Sequence, residues 1–132
     1  MKEDFQKKVV QFQILESNLK ALQEKADELN QRIEEIQSTK TAIEELKQIK
    51  PSNALIPLGS GNFVSGKIEN AEEVIIGIGS GIAIKKKRED AIIVLDNTMK
   101  ELERSLDDVR NHIMSIALQL EKLQEELEKL QR

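Results

Sequence analysis

The sequence has no cysteine, tryptophan or tyrosine, and it has one histidine among its 132 residues. Without cysteine it forms neither a disulfide nor a thiolate zinc site. Three phenylalanines are too few for the aromatic platforms that stack single-stranded nucleic acid. The formal net charge of −4 also argues against DNA or RNA as a partner, because nucleic-acid-binding surfaces are basic. We therefore expect no cofactor and no nucleic-acid partner.

Glycine and proline are scarce as well, and their positions divide the chain. All six glycines and both prolines lie within residues 51–87. Residues 1–50 and 88–132 therefore lack the two residue types that most destabilise a helix interior. We predict one structural unit made of three segments: an N-terminal coiled-coil helix (1–50), a segment of two β-hairpins (51–87) and a C-terminal coiled-coil helix (88–132).

Long apolar runs are also missing. The N-terminus reads Met-Lys-Glu-Asp-Phe, and no apolar signal region follows it. The longest plain apolar run, Ala91 to Leu95, is far shorter than the roughly 20 residues that cross a bilayer. We expect a cytoplasmic protein that does not bind a membrane.

Both helical segments carry a stripe of apolar residues at alternating spacings of three and four. In the C-terminal segment all twelve stripe positions are apolar, namely Ile92, Leu95, Met99, Leu102, Leu106, Val109, Ile113, Ile116, Leu120, Leu123, Leu127 and Leu130. In the N-terminal segment the stripe comprises Phe12, Leu15, Leu19, Leu22, Ala26, Leu29, Ile33, Ile36 and Ile43. Lys40 is its one polar interruption. A sustained period of 3.5 residues indicates a left-handed coiled coil.

The two helical segments are matched in length, at about 45 residues or 65–70 Å each. Pro51 is expected to end the first helix, and the acidic Glu89 and Asp90 suit the start of the second. Equal segments around a short middle favour an antiparallel coiled coil within one chain, with both termini at the same end. The alternative is that each segment pairs with another chain, as in a long dimeric rod.

The middle segment changes to a period of two and to β-branched residues, which predicts strands. The strands are expected at Ala54–Leu58, Phe63–Ile68, Val74–Ile78 and Ile82–Lys86, with a Gly-Ser-Gly turn inside each hairpin. Four short strands bury no core by themselves, and their open edges invite pairing with other strands. The sequence therefore predicts oligomerisation through the hairpins.

Two motifs suggest chemistry, and each lacks a necessary part. Residues 61–67 match a phosphate-binding loop, but Ile68 replaces its Ser or Thr, and a strand rather than a helix is expected there. His112 has no second His or Cys with which to bind a metal. Acidic pairs on the helices are expected on solvated faces. We therefore predict no catalytic, cofactor-binding or metal-binding residue, and no enzymatic activity.

A basic run, Lys85-Lys86-Lys87-Arg88, ends the hairpin segment. Such a run is typical of an anion-binding patch or a nuclear address. It is also typical of a solvated strand end whose lysines discourage aggregation. We favour the strand end.

Apolar residues outside the stripe are concentrated in two places. Near the hairpins these are Leu46, Ile49, Ile93 and Val94, which we expect to pack the helices onto the hairpins. Near the free helix ends they are Val9, Val10, Ile14, Met114 and Leu118, and Phe5, Leu127 and Leu130 add apolar surface there. Exposed apolar clusters mark interaction sites, which predicts binding to apolar segments of other proteins. The alternative is contact with a neighbouring helix pair or incidental exposure.

Two stretches of the middle segment resemble a known family. They are Leu55-Ile56-Pro57-Leu58-Gly59-Ser60-Gly61-Asn62-Phe63-Val64 and Val74-Ile75-Ile76-Gly77-Ile78-Gly79-Ser80-Gly81-Ile82-Ala83-Ile84-Lys85-Lys86. Together with the order helix, two hairpins, helix, they make the chain resemble the alpha-type subunits of the prefoldin (GimC) chaperone family. Two hairpins rather than one mark the alpha class, and the short chain is similar to archaeal members.

This resemblance implies a fold and a function. Alpha-type subunits join beta-type subunits in a hexamer of two alpha and four beta chains, and their hairpins form an intersubunit β-barrel. The coiled-coil tips capture unfolded client proteins without ATP and deliver them to a group II chaperonin. The alternative function is a structural scaffold or filament, assembled through the hairpins without client capture.

The resemblance also assigns residues to two surfaces. The implied client contacts are Phe5, Val9, Val10, Ile14, Met114, Leu118, Leu127 and Leu130. The implied assembly contacts are Leu55, Leu58, Phe63, Val64, Val74, Ile76, Ile82 and Ile84.

Overall fold

The computed structural model describes residues 2–50 and 52–131, which form two long α-helices and two β-hairpins. In chain order the elements are α1 (Lys2–Glu45), a 3₁₀ turn (Leu46–Gln48), β1 (Ser52–Gly59), β2 (Asn62–Ile68), β3 (Glu73–Gly79), β4 (Ile82–Lys87) and α2 (Arg88–Gln131). The predicted α+β architecture, mostly helical, is confirmed. In the part of the chain that the structure describes, neither helix is apolar enough over a sufficient length to cross a membrane.

The inner ends of the two helices follow from local sequence. Helix α1 ends at Glu45, and the chain tightens into the 3₁₀ turn before Ile49 becomes extended at φ −88° and ψ 120°. A residue that precedes proline disfavours helical φ and ψ angles, which is consistent with an α-helix that ends several residues before Pro51. Pro51 itself lies outside the described residues. Helix α2 starts at Arg88, with Glu89 and Asp90 in its first turn, where acidic side chains favour the helix dipole.

The chain forms two compact units, and the first, which we call the terminal unit, comprises Met1–Glu34 and Lys100–Arg132. Within it α1 and α2 run antiparallel, because the Lys8 ammonium lies 3.1 Å from the Glu126 carboxylate, whereas Lys20, further along α1, lines a groove with Ala117, which is earlier in α2. The buried side chains of this unit all belong to the predicted stripes, namely Leu29, Leu102, Leu106 and Leu123. Burial of one leucine stabilises a fold by about 1.5–3 kcal/mol, so this seam holds the helices together. The antiparallel coiled coil within one chain is thus confirmed.

The second unit, which we call the hairpin unit, comprises Glu35–Met99. It contains the end of α1, both hairpins and the first turns of α2. Ile43 and Ala91 are its buried apolar residues. Lys40, the polar interruption of the stripe, places its ammonium 2.8 Å from the Asp96 carboxylate. The hydrogen bond to Asp96 raises the pKa of Lys40, and the negative charges of Asp96 and Glu44 raise it further. Partial burial of the ammonium lowers the pKa but does not cancel the rise.

The Lys40–Asp96 pair predicts a pH dependence of stability. Because the pKa of Lys40 is higher in the folded chain than its ordinary value of 10.5, the pair stabilises the fold fully below that pH. This contribution is lost as the pH rises through the raised pKa. We expect wild type to melt at a higher temperature than Asp96→Asn at about pH 9, and the difference to shrink as the pH rises through the raised pKa of Lys40. Thermal unfolding followed by circular dichroism measures it, and a difference that stays constant with pH would contradict the assignment.

The two hairpins repeat the same local structure at an offset of 20 residues. Strands β1 and β2 pair Ile56 with Val64, and strands β3 and β4 pair Ile76 with Ile84, both antiparallel. Each hairpin closes in a two-residue turn, Ser60-Gly61 or Ser80-Gly81, in which both residues have positive φ. This is the geometry of a type I′ turn, whose twist matches that of paired strands and which favours glycine at the second position. The register shifts just before each turn, at Leu58 and at Ile78.

Each hairpin is a separate two-stranded sheet. A sheet of two strands is marginally stable alone and has an unpaired backbone edge on both sides. The strand expectations are confirmed to within two residues at each end. Residues 62–68 form β2, so the stretch that matches a phosphate-binding loop by sequence is a pleated strand and not an anion-binding turn.

Candidate functional site

The first candidate surface consists of two apolar pairs on the terminal unit. The four side chains are largely exposed: Val10 by 53%, Ile14 by 56%, Met114 by 64% and Leu118 by 66%. Residues four apart on a helix lie on one face, so each pair forms a continuous apolar spot. All four lie outside the stripe that packs α1 against α2. Their exposure is therefore not a consequence of an imperfect seam.

The other four residues predicted for this surface lie differently. Phe5, Val9 and Leu127 are half-buried, and Leu130 is exposed. Phe5 and Leu130 line a groove of about 350 Å³ together with Lys2, Gln6 and Gln131. Phe5 continues the α1 stripe one heptad beyond Phe12, a spacing from which the sequence already indicates a seam position. The predicted eight residues thus comprise two exposed pairs and a partly covered helix end.

The second candidate surface is on the hairpins. Of the eight residues predicted for it, the exposed ones are Leu55, Leu58, Phe63, Val64 and Ile82, and the half-buried ones are Val74, Ile76 and Ile84. The sequence reasoning missed three further exposed residues, Ile56, Ile75 and Ile78. The signal was available, because strands that are apolar on both faces are typical of sheets covered on both sides. A small sheet with this composition needs partner strands or side chains that cover its apolar faces.

The basic run separates into two roles in the structure. Lys85, Lys86 and Lys87 belong to β4, where Lys87 pairs with Glu73 across the hairpin. Arg88 starts α2, and its side chain is only 14% exposed. Its guanidinium donates a hydrogen bond of 2.9 Å to the Ala71 carbonyl, and its backbone N–H donates one of 3.0 Å to the Glu72 carbonyl. Arg88 therefore ties the turn between the hairpins to the start of α2, a role that the sequence reasoning did not identify.

The residues expected to pack the helices onto the hairpins differ in burial. Leu46 and Val94 are half-buried, but Ile49 is exposed and Ile93 is 58% exposed. The expectation is wrong for these two. Ile93 follows the stripe residue Ile92 directly, so it points about 100° away from the seam. A side chain in this position is covered only by something outside the helix pair.

Both surfaces are suited to non-covalent contact with other polypeptides. Among the residues that the structure describes, no three His, Asp or Glu side chains are grouped so as to hold a metal ion. His112 is exposed on α2. What the surfaces offer is exposed apolar side chains on helices and open backbone edges on hairpins. The fold and these surfaces define a class of two-helix coiled-coil proteins that carry β-hairpins with open edges and exposed apolar residues on their helices.

Comparison with known proteins places the chain within this class. The family model described as Prefoldin subunit matches residues 15–132. The chain belongs to the prefoldin family, and the resemblance noted in the middle segment is confirmed. Members of this family are chaperone subunits without enzymatic activity, so the chain is of chaperone type and is not an enzyme.

Individual relatives agree with the family assignment. Prefoldin subunit alpha of Methanococcus vannielii is 27% identical over 130 residues, which cover 98% of this chain and 87% of the relative. Prefoldin subunit alpha of Thermococcus onnurineus is 32% identical over 101 residues, which cover 75% of this chain and 69% of the relative. The cryo-EM structure of filamentous PFD from Methanocaldococcus jannaschii matches the fold with a TM-score of 0.76 at 19% identity, covering 85% of this chain and 93% of that chain.

Proposed function

We propose that this chain is an alpha-type subunit of a chaperone that captures unfolded proteins without ATP and delivers them to a group II chaperonin in the cytoplasm. The observation that carries the proposal is the pair of exposed apolar spots, Val10–Ile14 and Met114–Leu118, on a helix pair of a prefoldin family member. Large exposed side chains of this kind are costly in water unless a partner covers them. Methionine suits a surface that accepts varied partners, because its side chain is flexible.

The hairpins are the proposed assembly surface. Each is a two-stranded sheet with open edges, and both present exposed apolar residues such as Leu55 and Ile82. Strands of neighbouring subunits satisfy the edges and cover the apolar faces at once. We propose the hexamer of two alpha and four beta chains, with an intersubunit β-barrel, as the assembled form.

Assembly also explains how weak contacts hold a client. One apolar spot of two side chains buries little area and binds a segment weakly. When several helix pairs project from one assembly, the first contact raises the effective concentration of the others. Capture then requires no nucleotide, because it depends on the number of contacts and not on a chemical cycle.

The test replaces the four exposed residues of the terminal unit. We expect Val10→Ser, Ile14→Ser, Met114→Ser and Leu118→Ser together to leave assembly with a beta-type partner intact and to weaken suppression of client aggregation about tenfold or more. Light scattering of a denatured client, diluted into buffer with each complex, measures the effect. If the assembled variant suppresses aggregation as well as wild type does, the proposal is wrong.

A second candidate function is a scaffold or filament built through the hairpins. It is supported by the structural likeness to filamentous PFD from Methanocaldococcus jannaschii. The same open hairpin edges permit head-to-tail growth if the pairing does not close. Mass measurement of the chain alone and with a beta-type partner separates the two functions. Open-ended growth of this chain alone favours the filament, whereas a closed complex formed only with the partner favours the hexamer.

A further inference from the structure

The two hairpins share one backbone geometry but differ in the chemistry of one face. Leu55 and Ile75 occupy equivalent positions in the two hairpins, and their side chains are exposed by 68% and 72%. Leu55 pairs with Ser65 across the first hairpin, whereas Ile75 pairs with Lys85 across the second. An exposed apolar side chain therefore has a neutral neighbour in one hairpin and a cationic neighbour in the other.

The cationic neighbour is one of two lysines on this face of the second hairpin. Lys85 and Lys87 are two residues apart in β4, so both side chains leave the sheet on the side of Ile75, and both are exposed. Among the residues that the structure describes, no carboxylate lies within 4.0 Å of either ammonium. Lys87 has acidic neighbours, because Glu73 is opposite it and Glu89 lines the same groove. Lys85 lies opposite the apolar Ile75 and is therefore the less neutralised of the two charges.

The strands as a group are basic, although the whole chain has a net charge of −4. Within the described residues the four strands contain four lysines and a single acidic residue, namely Lys67, Lys85, Lys86, Lys87 and Glu73. Pairing between the strands of two copies of this chain would bring lysines near lysines. Because like charges directly opposite each other destabilise a sheet, a second copy is a poor partner for the lysine-bearing face.

Strand β4 has an open edge beside these lysines. In the described part of the chain β4 pairs with β3 on one side and with no strand on the other. A strand that pairs with this open edge places one side chain directly opposite Lys85, with the two Cβ atoms about 5 Å apart. Opposite charges at such positions stabilise the pairing. Since alternate residues of a strand share a face, the carboxylates that face Lys85 and Lys87 would themselves be two residues apart.

The exposure of Ile75 argues against a strand end that only discourages aggregation. Lysines are sufficient for that purpose, and an exposed isoleucine between strands opposes it. Ile75 has the largest exposed fraction of the large apolar side chains that the structure describes. A partner that covers this face gains hydrophobic free energy at Ile75 and ion pairs at the lysines. The face therefore fits a strand that is both apolar and acidic.

We propose that the open edge of β4 accepts an acidic strand of a different chain, with Asp or Glu at two alternate positions opposite Lys85 and Lys87. This inference rests on the proposed assembly through the hairpins and specifies the chemistry of one partner strand. The first hairpin exposes Leu55 and Phe63 and has Ser65 where the second has Lys85, so it suits a neutral apolar partner. The two hairpins thus select different strands, and charge disfavours pairing of the β4 edge with a second copy.

Charge reversal at Lys85 tests the proposal, with the beta-type partner subunit as the probe. At about 50 mM salt we expect Lys85→Glu to raise the dissociation constant for assembly about tenfold, because an attractive cross-strand pair becomes repulsive. Replacing the facing Asp or Glu of the partner by Lys is expected to restore the affinity of this variant. Raising the salt to about 500 mM is expected to weaken wild-type assembly and to reduce the difference between wild type and Lys85→Glu. Analytical ultracentrifugation measures the affinities.

Lys67→Glu is the matched control. It makes the same change of charge at an exposed lysine of the first hairpin. We expect the dissociation constant of this variant to stay within about twofold of wild type, and both variants to keep the circular dichroism of the parent chain. Equal losses for Lys67→Glu and Lys85→Glu would show that net charge matters and not the β4 edge, which would overturn the inference.

Three other outcomes also decide the question. If Lys85→Glu assembles with the affinity of wild type, or if no strand of the partner has two acidic residues at alternate positions, the inference is wrong while the proposed assembly stands. If wild type alone forms a larger species that Lys85→Glu abolishes, the edge is an interface between copies, which also contradicts the inference. If wild type does not assemble with a beta-type partner at all, the proposed assembly fails and the inference fails with it.

Discussion

Replacement of Leu106 by alanine is expected to lower the free energy of unfolding by about 3 kcal/mol. Leu106 is 4% exposed and belongs to the apolar stripe of α2 in the terminal unit. The substitution removes buried methyl groups and leaves a cavity that two rigid helices fill poorly. Urea unfolding followed by circular dichroism, at one fixed protein concentration, measures the change. The concentration is held constant because association of folded chains adds to apparent stability.

Leu118→Ala is the matched control for this prediction. It makes the same chemical change on the same helix, but Leu118 is 66% exposed. We expect its effect on the free energy of unfolding to be within about 0.5 kcal/mol. Equal losses for the two variants would mean that the stripe does not carry the stability of the helix pair, and the coiled-coil assignment of the seam would fail.

Substitution of Leu55 and Phe63 by serine is expected to raise the dissociation constant for assembly with a beta-type partner about a hundredfold. Phe63 pairs with Pro57, two residues along β1 from Leu55, so both side chains lie on one face of the first hairpin. They are exposed by 55% and 68% in the isolated chain. Large apolar residues at the centre of an interface usually dominate its energy.

The assembly variant is compared with Met114→Ser plus Leu118→Ser, which removes two exposed apolar residues from the terminal unit instead. This control is expected to assemble with the affinity of wild type, and both variants are expected to keep the helical circular dichroism of the parent chain. Analytical ultracentrifugation with the partner provides the measurement. Unchanged assembly of the hairpin variant would remove the first hairpin from the assembly surface.

Residues with a strong local pattern were predicted well from the sequence. The stripe residues Leu29, Leu106 and Leu123 are buried as expected, since a period of 3.5 residues defines one helix face whatever lies opposite. The turns at Ser60-Gly61 and Ser80-Gly81 follow from glycine at the position that needs positive φ. The exposed pairs Val10–Ile14 and Met114–Leu118 were also identifiable, because they lie off the stripe.

Residues whose role depends on a distant partner were not predicted. Asp96 attracts no notice in the sequence, yet it neutralises Lys40 from the facing helix. In the sequence Arg88 is the last residue of a basic run. In the structure its side chain donates a hydrogen bond to the carbonyl of Ala71, 17 positions earlier in the chain. Ile93 was expected against the hairpins and is exposed, because packing depends on direction around the helix as well as on position along it.

The sequence by itself determined the helices, the hairpins and the family, since each rests on short-range periodicity or on a contiguous motif. It also determined which kinds of site are not expected, because a chain without cysteine and with one histidine has few residues suited to catalysis or metal binding. Only the tertiary structure decided that Lys40 and Arg88 have partners, namely Asp96 and the Ala71 carbonyl. Those facts depend on the alignment of segments far apart in the chain, and the free energy of that alignment comes from the seam as a whole and not from any local run of residues.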